Sequence, residues 1–194
     1  FKIHAEGNYD LAEAMYDSIM TQLRAPDFNI LYGYGSLLVE RGRYGIGIAL
    51  LQTAARIHDQ HPGLWVNLGV AFKQLGQEEL ALNAYEKALA LEEGVETLSA
   101  IAGFYINRNE AKKAEEFSRR ALAIRDHPAA HMHLGLALLE QGRFEEAWPH
   151  YEGRWDSADR IKFKRTYASP KWEGKPVKKL VIHGEQGLGD EILY

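Results

Sequence analysis

Three glycines near the end of the chain, Gly184, Gly187 and Gly189, have the spacing of a loop that could hold a ligand. Residues 180–182 are a short apolar run of the buried-strand type, and residues 191–194 would begin a helix. A glycine turn between a strand and a helix exposes backbone N–H groups, and the N-terminus of a helix favours anions. The spacing G-x-x-G-x-G is not the dinucleotide-binding fingerprint, and no Lys-Ser or Lys-Thr pair follows as in a Walker loop. The stretch therefore predicts a strand, a turn and a helix without naming the ligand.

The other residues capable of chemistry do not form a recognisable site. The chain has no cysteine, which excludes disulfides and thiolate ligands. His131 and His133 point to different faces of a helix, and His127 precedes Pro128 at a predicted helix start. A zinc site needs three or four ligands, and the sequence places no third one beside them. We therefore expect no metal site and no cofactor.

Charge is unevenly distributed along the chain. The 194 residues carry a formal net charge of -4, which argues against a nucleic-acid partner. No apolar run reaches the ~18 residues of a membrane span. Residues 154–179 nevertheless hold nine Lys and Arg against three Asp and Glu. This segment is either a patch for phosphate, nucleotide or membrane headgroups or a linker. We favour a basic linker over residues 156–179, with Phe163, Tyr167 and Trp172 available for packing.

Most of the chain carries a repeat with a period near 34 residues. Three series of residues keep the same intervals of 35, 34, 33 and 33. The series are Gly7, Gly42, Gly76, Asn109 and Gly142; Ala12, Gly47, Ala81, Ala114 and Ala147; and Tyr16, Leu51, Tyr85, Ser118 and Tyr151. A period of this length is typical of a helix-turn-helix array. We expect the first series to end the first helix of each unit in the left-handed conformation, which Asn tolerates in place of Gly. The second series would let two helices approach closely.

The segment "GLWVNLGVAFKQLGQEELALNAYEKALAL" resembles a tetratricopeptide repeat. The resemblance covers residues 1–155, as a partial unit over 1–27 and units near 28–61, 62–94, 95–127 and 128–155. It implies an all-α, right-handed superhelix, with one β-strand in a short C-terminal extension. Gly47, Ser118 and His131 depart from the residue types usual at their positions.

In this family the concave groove, which binds a protein or peptide, is lined by first-helix residues outside the core stripe. Here those residues are Tyr32, Ser36, Val66, Val70, Lys73, Ser99, Gly103, Met132 and Leu136. Most are small or apolar, and the basic set that grips a peptide carboxylate in chaperone-binding members is absent. Asn67 takes the place of an asparagine-ladder residue, but the other units have Gly33, Ala100 and His133 there, so no ladder is expected. The alternative is that these side chains merely cap the inner helices.

The C-terminal part has a resemblance of its own. "GRFEEAWPHYEGRW", followed by "SPKWEGKPVKKLVIHGEQGLGDEILY", is similar to bacterial tetratricopeptide proteins that carry a heptosyltransferase-like glycosyltransferase domain. The resemblance implies that residues 180–194 are the truncated start of a Rossmann-like domain at a sugar-transfer cleft. It makes Asp190 the candidate general base, with Gly187 and Gly189 shaping its loop. We expect the chain to be the N-terminal part of a larger protein and to be catalytically silent alone.

Three functions remain open at this stage. The first is a cytoplasmic scaffold that binds a protein or peptide in its groove, since solenoids of this type bind on their concave face. The second is the substrate-recruiting arm of a glycosyltransferase. The third is a self-association module in which the strand near residues 177–183 pairs with the repeats or with another copy.

Overall fold

The computed structural model describes residues 7–22, 25 and 27–152. Within them the chain forms nine helices and no strand: α1 (Tyr9–Gln22), α2 (Phe28–Glu40), α3 (Tyr44–Ile57), α4 (Pro62–Gln74), α5 (Glu78–Leu91), α6 (Val95–Asn107), α7 (Ala111–Ile124), α8 (Pro128–Glu140) and α9 (Phe144–Tyr151). None of the described helices is long and apolar enough to cross a bilayer. The prediction of an all-helical solenoid is confirmed for these residues. The predicted strand, the linker over 156–179, Gly184, Gly187, Gly189 and Asp190 lie outside them.

Three of the first helices begin at residues whose side chains cap the helix. Oδ1 of Asp27 and Nδ1 of His61 and His127 each accept a hydrogen bond from the N–H three residues on, at 3.0, 3.3 and 3.4 Å. Both histidines are followed by proline, whose missing N–H is no loss in the first turn of a helix. His127 therefore lies at a helix start, as predicted, and caps α8.

The turn before each second helix contains one residue in the left-handed conformation. The five residues and their φ angles are Gly7 at 78°, Gly42 at 74°, Gly76 at 71°, Asn109 at 55° and Gly142 at 73°. Among the described residues, Asn109 is the one non-glycine residue with positive φ. The left-handed conformation predicted for the first repeating series is therefore confirmed at all five positions, and at the last four of them the residue follows the end of a described first helix.

A small residue lies where the two helices of each unit cross. A Cβ added at Gly35 would come 2.8 Å from Cγ of Leu51, and one added at Gly135 would come 2.6 Å from the backbone nitrogen of Tyr151. In the third unit the corresponding pair is Ala102 and Ser118, both fully buried. Ser118, which departs from the aromatic residue usual there, thus leaves room for the methyl group that its partner carries.

The helices form two layers. Each first helix packs on the next first helix, α2 on α4, α4 on α6 and α6 on α8. Successive second helices make less contact with one another and instead pack on the following first helix. The first helices therefore form the inner layer of the curved array, because neighbours on the inside of a bend approach most closely.

Ion pairs join neighbouring units along one edge of the array. Glu115 on α7 accepts hydrogen bonds from Gln141 at 2.8 Å and from Arg143 at 2.8 Å, and it pairs with Arg119 on its own helix. Burial opposes ionisation of Glu115, but the hydrogen bonds from these three residues outweigh it and lower its pKa. This carboxylate therefore favours the contact between the third and fourth complete units.

Candidate functional site

The predicted groove residues lie on four helices of the inner layer. Tyr32 and Ser36 are on α2, Val66, Val70 and Lys73 on α4, Ser99 and Gly103 on α6, and Met132 and Leu136 on α8. On each helix the members are four residues apart, with Lys73 three residues after Val70, so they share one face. We call this set of nine residues the inner surface.

The structure divides the inner surface into a buried floor and a half-buried lining. Ser36 and Ser99 are only 7% and 4% exposed, and Gly103 is also buried. The other six residues are half-buried. Sequence reasoning placed all nine in the groove and did not separate these two roles.

The half-buried apolar residues differ in how they pack. Tyr32 and Val70 pack against the largest cluster of buried residues in the array. Val66, Met132 and Leu136 take no part in the packing around any of the four core clusters. In the part of the chain that the structure describes, these three side chains therefore keep part of their apolar surface exposed.

Tyr32 belongs to an aromatic cluster at one end of the inner surface. Its ring is stacked on Phe28, with centroids 5.7 Å apart, and lies 4.5 Å from the ring centroid of His61. Burial raises the pKa of the Tyr32 phenol, so it is neutral at physiological pH. The alternative that such residues cap the inner helices fits Tyr32 better than it fits Val66, Met132 or Leu136.

The floor serines are bonded to polar side chains from the next first helix. The Ser36 hydroxyl donates to the Tyr32 carbonyl at 2.7 Å and accepts from Nδ2 of Asn67 at 2.7 Å. Oγ of Ser99 lies 3.4 Å from Nδ1 of His133. Asn67 and His133 hold equivalent positions in their units. Asn67 therefore links α4 to α2, and His133 links α8 to α6. Neither side chain is part of an asparagine ladder.

His133 occupies space that Gly103 leaves open. A Cβ at Gly103 would come 2.8 Å from Nε2 of His133. Burial, and then the positive charge of Lys73, lower the pKa of His133 to about 4. The imidazole is therefore neutral at physiological pH. Sequence reasoning considered His133 only as a metal ligand or a ladder residue, although a glycine one unit earlier on the same surface indicated space for a ring.

Lys73 is the charged member of the inner surface. It is half-buried, and burial lowers the pKa of its ammonium group. Within the described part of the chain it forms no ion pair. Equivalent positions on the other first helices hold Val39, Ile106 and Leu139.

His131 and His150 lie close together but form no cluster of three potential metal ligands among the described residues. Nδ1 of His131 lies 2.7 Å from Nδ1 of His150, and Nε2 of His131 lies 2.7 Å from Oδ1 of Asp126. His150 comes from α9 and was not anticipated as a neighbour. No group of three or more potential ligands suited to a metal ion occurs within residues 7–22, 25 and 27–152.

Two family models, both for the tetratricopeptide repeat, match residues 62–94 and 108–154. These matches coincide with helices α4–α5 and α7–α9. Residues 62–94 and 108–154 therefore carry tetratricopeptide repeats.

One curated protein is similar to this chain in sequence. FlbA of Caulobacter vibrioides is 27% identical over 166 residues, which cover 81% of this chain and 28% of FlbA. The chain therefore spans little more than a quarter of the length of this relative.

Solved structures of tetratricopeptide proteins share the fold. A thermophilic tetratricopeptide repeat (TPR) protein from Thermus thermophilus has a TM-score of 0.70 at 21% identity. The match covers 82% of this chain and 88% of the Thermus protein. MamA has a TM-score of 0.62 at 19% identity, covering 83% and 95%. YrrB, a TPR protein with an unusual peptide-binding site, has a TM-score of 0.56 at 21% identity, covering 79% and 80%. At these identities the similarity shows the fold alone.

Proposed function

We propose that this repeat array is a protein–protein interaction scaffold that binds an extended segment of a partner on its inner surface. The observation that carries the proposal is the partly exposed apolar surface of Val66, Met132 and Leu136, which lie outside the four core clusters of the described residues. Burying such surface against a partner is favourable by roughly 25 cal/mol per Å². Inner faces of solenoids are also where this architecture usually binds partners.

The polar groups of the buried floor favour a mainly apolar ligand that carries few charges. Ser36 is already bonded to Asn67, and Ser99 has His133 beside it, so little polar capacity remains for reading a highly charged sequence. YrrB, which has a peptide-binding site, shares the fold at the TM-score given above. Together these points support binding of a peptide segment over binding of nucleic acid.

A second function concerns the chain in a larger protein. The motif "HGEQGLGD" at residues 183–190 favours a glycosyltransferase-like domain that would begin near residue 180. In that case the repeats would recruit the acceptor protein, and Asp190 would be tested first as the general base. These residues lie outside the described part of the chain, so the proposal depends on the motif alone.

The scaffold proposal is tested with a displayed library of random twelve-residue peptides, selected on the whole chain. Affinities of the selected peptides are then measured for the wild type, for Val66→Lys on the inner surface and for Ile46→Lys as a matched control. Ile46 lies on α3 and is 51% exposed. We expect Val66→Lys to weaken binding about tenfold or more, since truncation or repulsion at an interface core costs above 1 kcal/mol. Ile46→Lys should leave it unchanged.

Two outcomes would contradict the scaffold proposal. One is that selection yields no peptide with saturable binding. The other is that Val66→Lys and Ile46→Lys have the same effect although circular dichroism shows both variants folded. Equal effects of the two variants would be expected if the partner bound the second helices instead of the inner surface.

A further inference from the structure

Lys73 is the one Lys or Arg on the four first helices α2, α4, α6 and α8. Several basic residues elsewhere in the described part of the chain are paired with carboxylates. Arg108, for example, pairs with Glu78 and Glu110, and Arg143 pairs with Glu115 and Glu146. The inner surface therefore holds a cation for which the described helices supply no carboxylate.

The lack of a carboxylate partner on the described helices costs free energy because Lys73 is half-buried. A half-buried ammonium has lost part of its hydration, and its three N–H donors need acceptors. Within the described part of the chain, none of the acidic residues on the first helices forms an ion pair with Lys73. Glu96, at the start of α6, pairs with Arg125 instead.

The repeat pattern around Lys73 is otherwise apolar. Val70 lies one turn earlier on the same face, and the positions equivalent to Lys73 on the other first helices hold Val39, Ile106 and Leu139. His133 lies near enough for the charge of Lys73 to act on it across the gap left by Gly103. A neutral imidazole leaves the positive charge uncompensated and adds a hydrogen-bonding group beside it.

We propose that Lys73 binds the side-chain carboxylate of an internal Asp or Glu in the partner segment, with apolar residues on either side of it in the segment. This inference rests on the proposed scaffold function and names the chemistry of its ligand. An internal carboxylate is favoured over a C-terminal one because the inner surface continues on both sides of Lys73. It runs to Tyr32 and Ser36 on α2 and to Met132 and Leu136 on α8.

The carboxylate gains from this site because both charges are partly desolvated. A charge-assisted hydrogen bond in such surroundings is stronger than one at a fully exposed site. The pairing also removes the cost that the unpaired ammonium imposes on the free protein. A neutral amide in place of the carboxylate can accept a hydrogen bond but cannot compensate the charge.

The test is a thermodynamic cycle on peptides selected from the random twelve-residue library. Each selected peptide is made with its acidic residue and with the matching amide, Glu→Gln or Asp→Asn. Both are titrated into the wild type, Lys73→Met, Lys73→Arg and the control Lys87→Met. Lys87 lies on α5, where its ammonium is 4.3 Å from the ring centroid of Trp65.

We expect selected peptides to share one acidic residue between apolar residues. On the wild type and Lys87→Met, the acidic peptide should bind about tenfold tighter than its amide, a size usual for a partly desolvated charge pair. On Lys73→Met this ratio should fall below about twofold, and Lys73→Arg should retain most of it. Lys73→Met removes an unpaired charge, so it should fold at least as stably as the wild type.

The two proposals fail in different ways. Peptides that bind the inner surface without an acidic preference would overturn the role of Lys73 and leave the scaffold function standing. An acidic preference that persists in Lys73→Met would do the same. If no peptide binds, the scaffold function fails and the inference fails with it.

Discussion

Replacing Gly69 by alanine tests whether the crossing of α4 and α5 is as tight as the structure shows. A Cβ at Gly69 would lie 2.6 Å from Cδ1 and 2.8 Å from Cζ of Tyr85. Tyr85 is fully buried, and its ring packs edge-on against Phe104 with centroids 5.7 Å apart. The ring therefore cannot retreat without disturbing the neighbouring unit.

The expected magnitude follows from two opposed effects. Adding a methyl group to a packed core typically costs about 1–3 kcal/mol, and the upper end applies because the ring is enclosed. Alanine is favoured over glycine in a helix by about 1 kcal/mol. The net loss is about 2 kcal/mol, and for a chain of this size that lowers Tm by about 4–8 °C.

Thermal unfolding followed by circular dichroism measures this loss, and Gly45→Ala is the matched control. A Cβ at Gly45, on α3, would have no neighbour within 4 Å, so this variant should keep or raise the Tm. The third unit, with Ala102 opposite Ser118, suggests a rescue. In a Tyr85→Ser background, Gly69→Ala should become neutral or stabilising, because the clashing ring is gone.

The reasoning is wrong if Gly69→Ala raises the Tm as Gly45→Ala does. It is also wrong if Gly69→Ala causes the same loss in the wild-type background and in the Tyr85→Ser background. Either result would mean that the destabilisation does not come from the contact with Tyr85.

Three further predictions concern the turn, the edge and the floor of the array. Asn109→Gly should raise the Tm by about 2–4 °C, because glycine adopts the φ of 55° without strain; a lower Tm would refute this. Glu115→Gln should lower the Tm at pH 7 by about 2–4 °C. Because the hydrogen bonds to Glu115 outweigh burial and lower its folded-state pKa, the stability it contributes is lost as pH falls through that pKa. The deficit of the variant should therefore vanish in acid, and a deficit that persists at pH 2 would contradict this. Burial, then the charge of Lys73, lower the pKa of His133 to about 4, so stability should fall between pH 6.5 and 4 as unfolded His133 takes up a proton. His133→Asn should flatten that decline, and a proton NMR titration of His133 with a midpoint near 6.5 would refute the assignment.

The repeat and its turns could be predicted from the sequence because their causes are local. The left-handed residues at Gly42, Gly76, Asn109 and Gly142 end helices through backbone conformation alone. The strand, the glycine loop and Asp190, predicted for the C-terminal part, remain predictions, since these residues lie outside the described chain.

The pairing of particular side chains could not be predicted in the same way. Asn67 reaches Ser36 from 31 residues away, and His133 reaches Ser99 from 34 residues away. A helical period shows that such residues share a face, but it does not show which of them meet. Ser118 illustrates the limit, because it breaks the sequence pattern and yet complements Ala102 across the helix crossing.

By itself, the sequence determined the all-helical array and the place of its turns, and it predicted the face on which we propose that a partner binds. These follow from periodicity and from the few residues that tolerate positive φ or close approach. Only the tertiary structure decided that Ser36, Ser99 and Gly103 form a buried floor, that His133 is neutral and that Lys73 has no partner on the described helices. Hydration and charge at one residue depend on groups that other helices bring near it, and the order of residues along one helix does not contain that information.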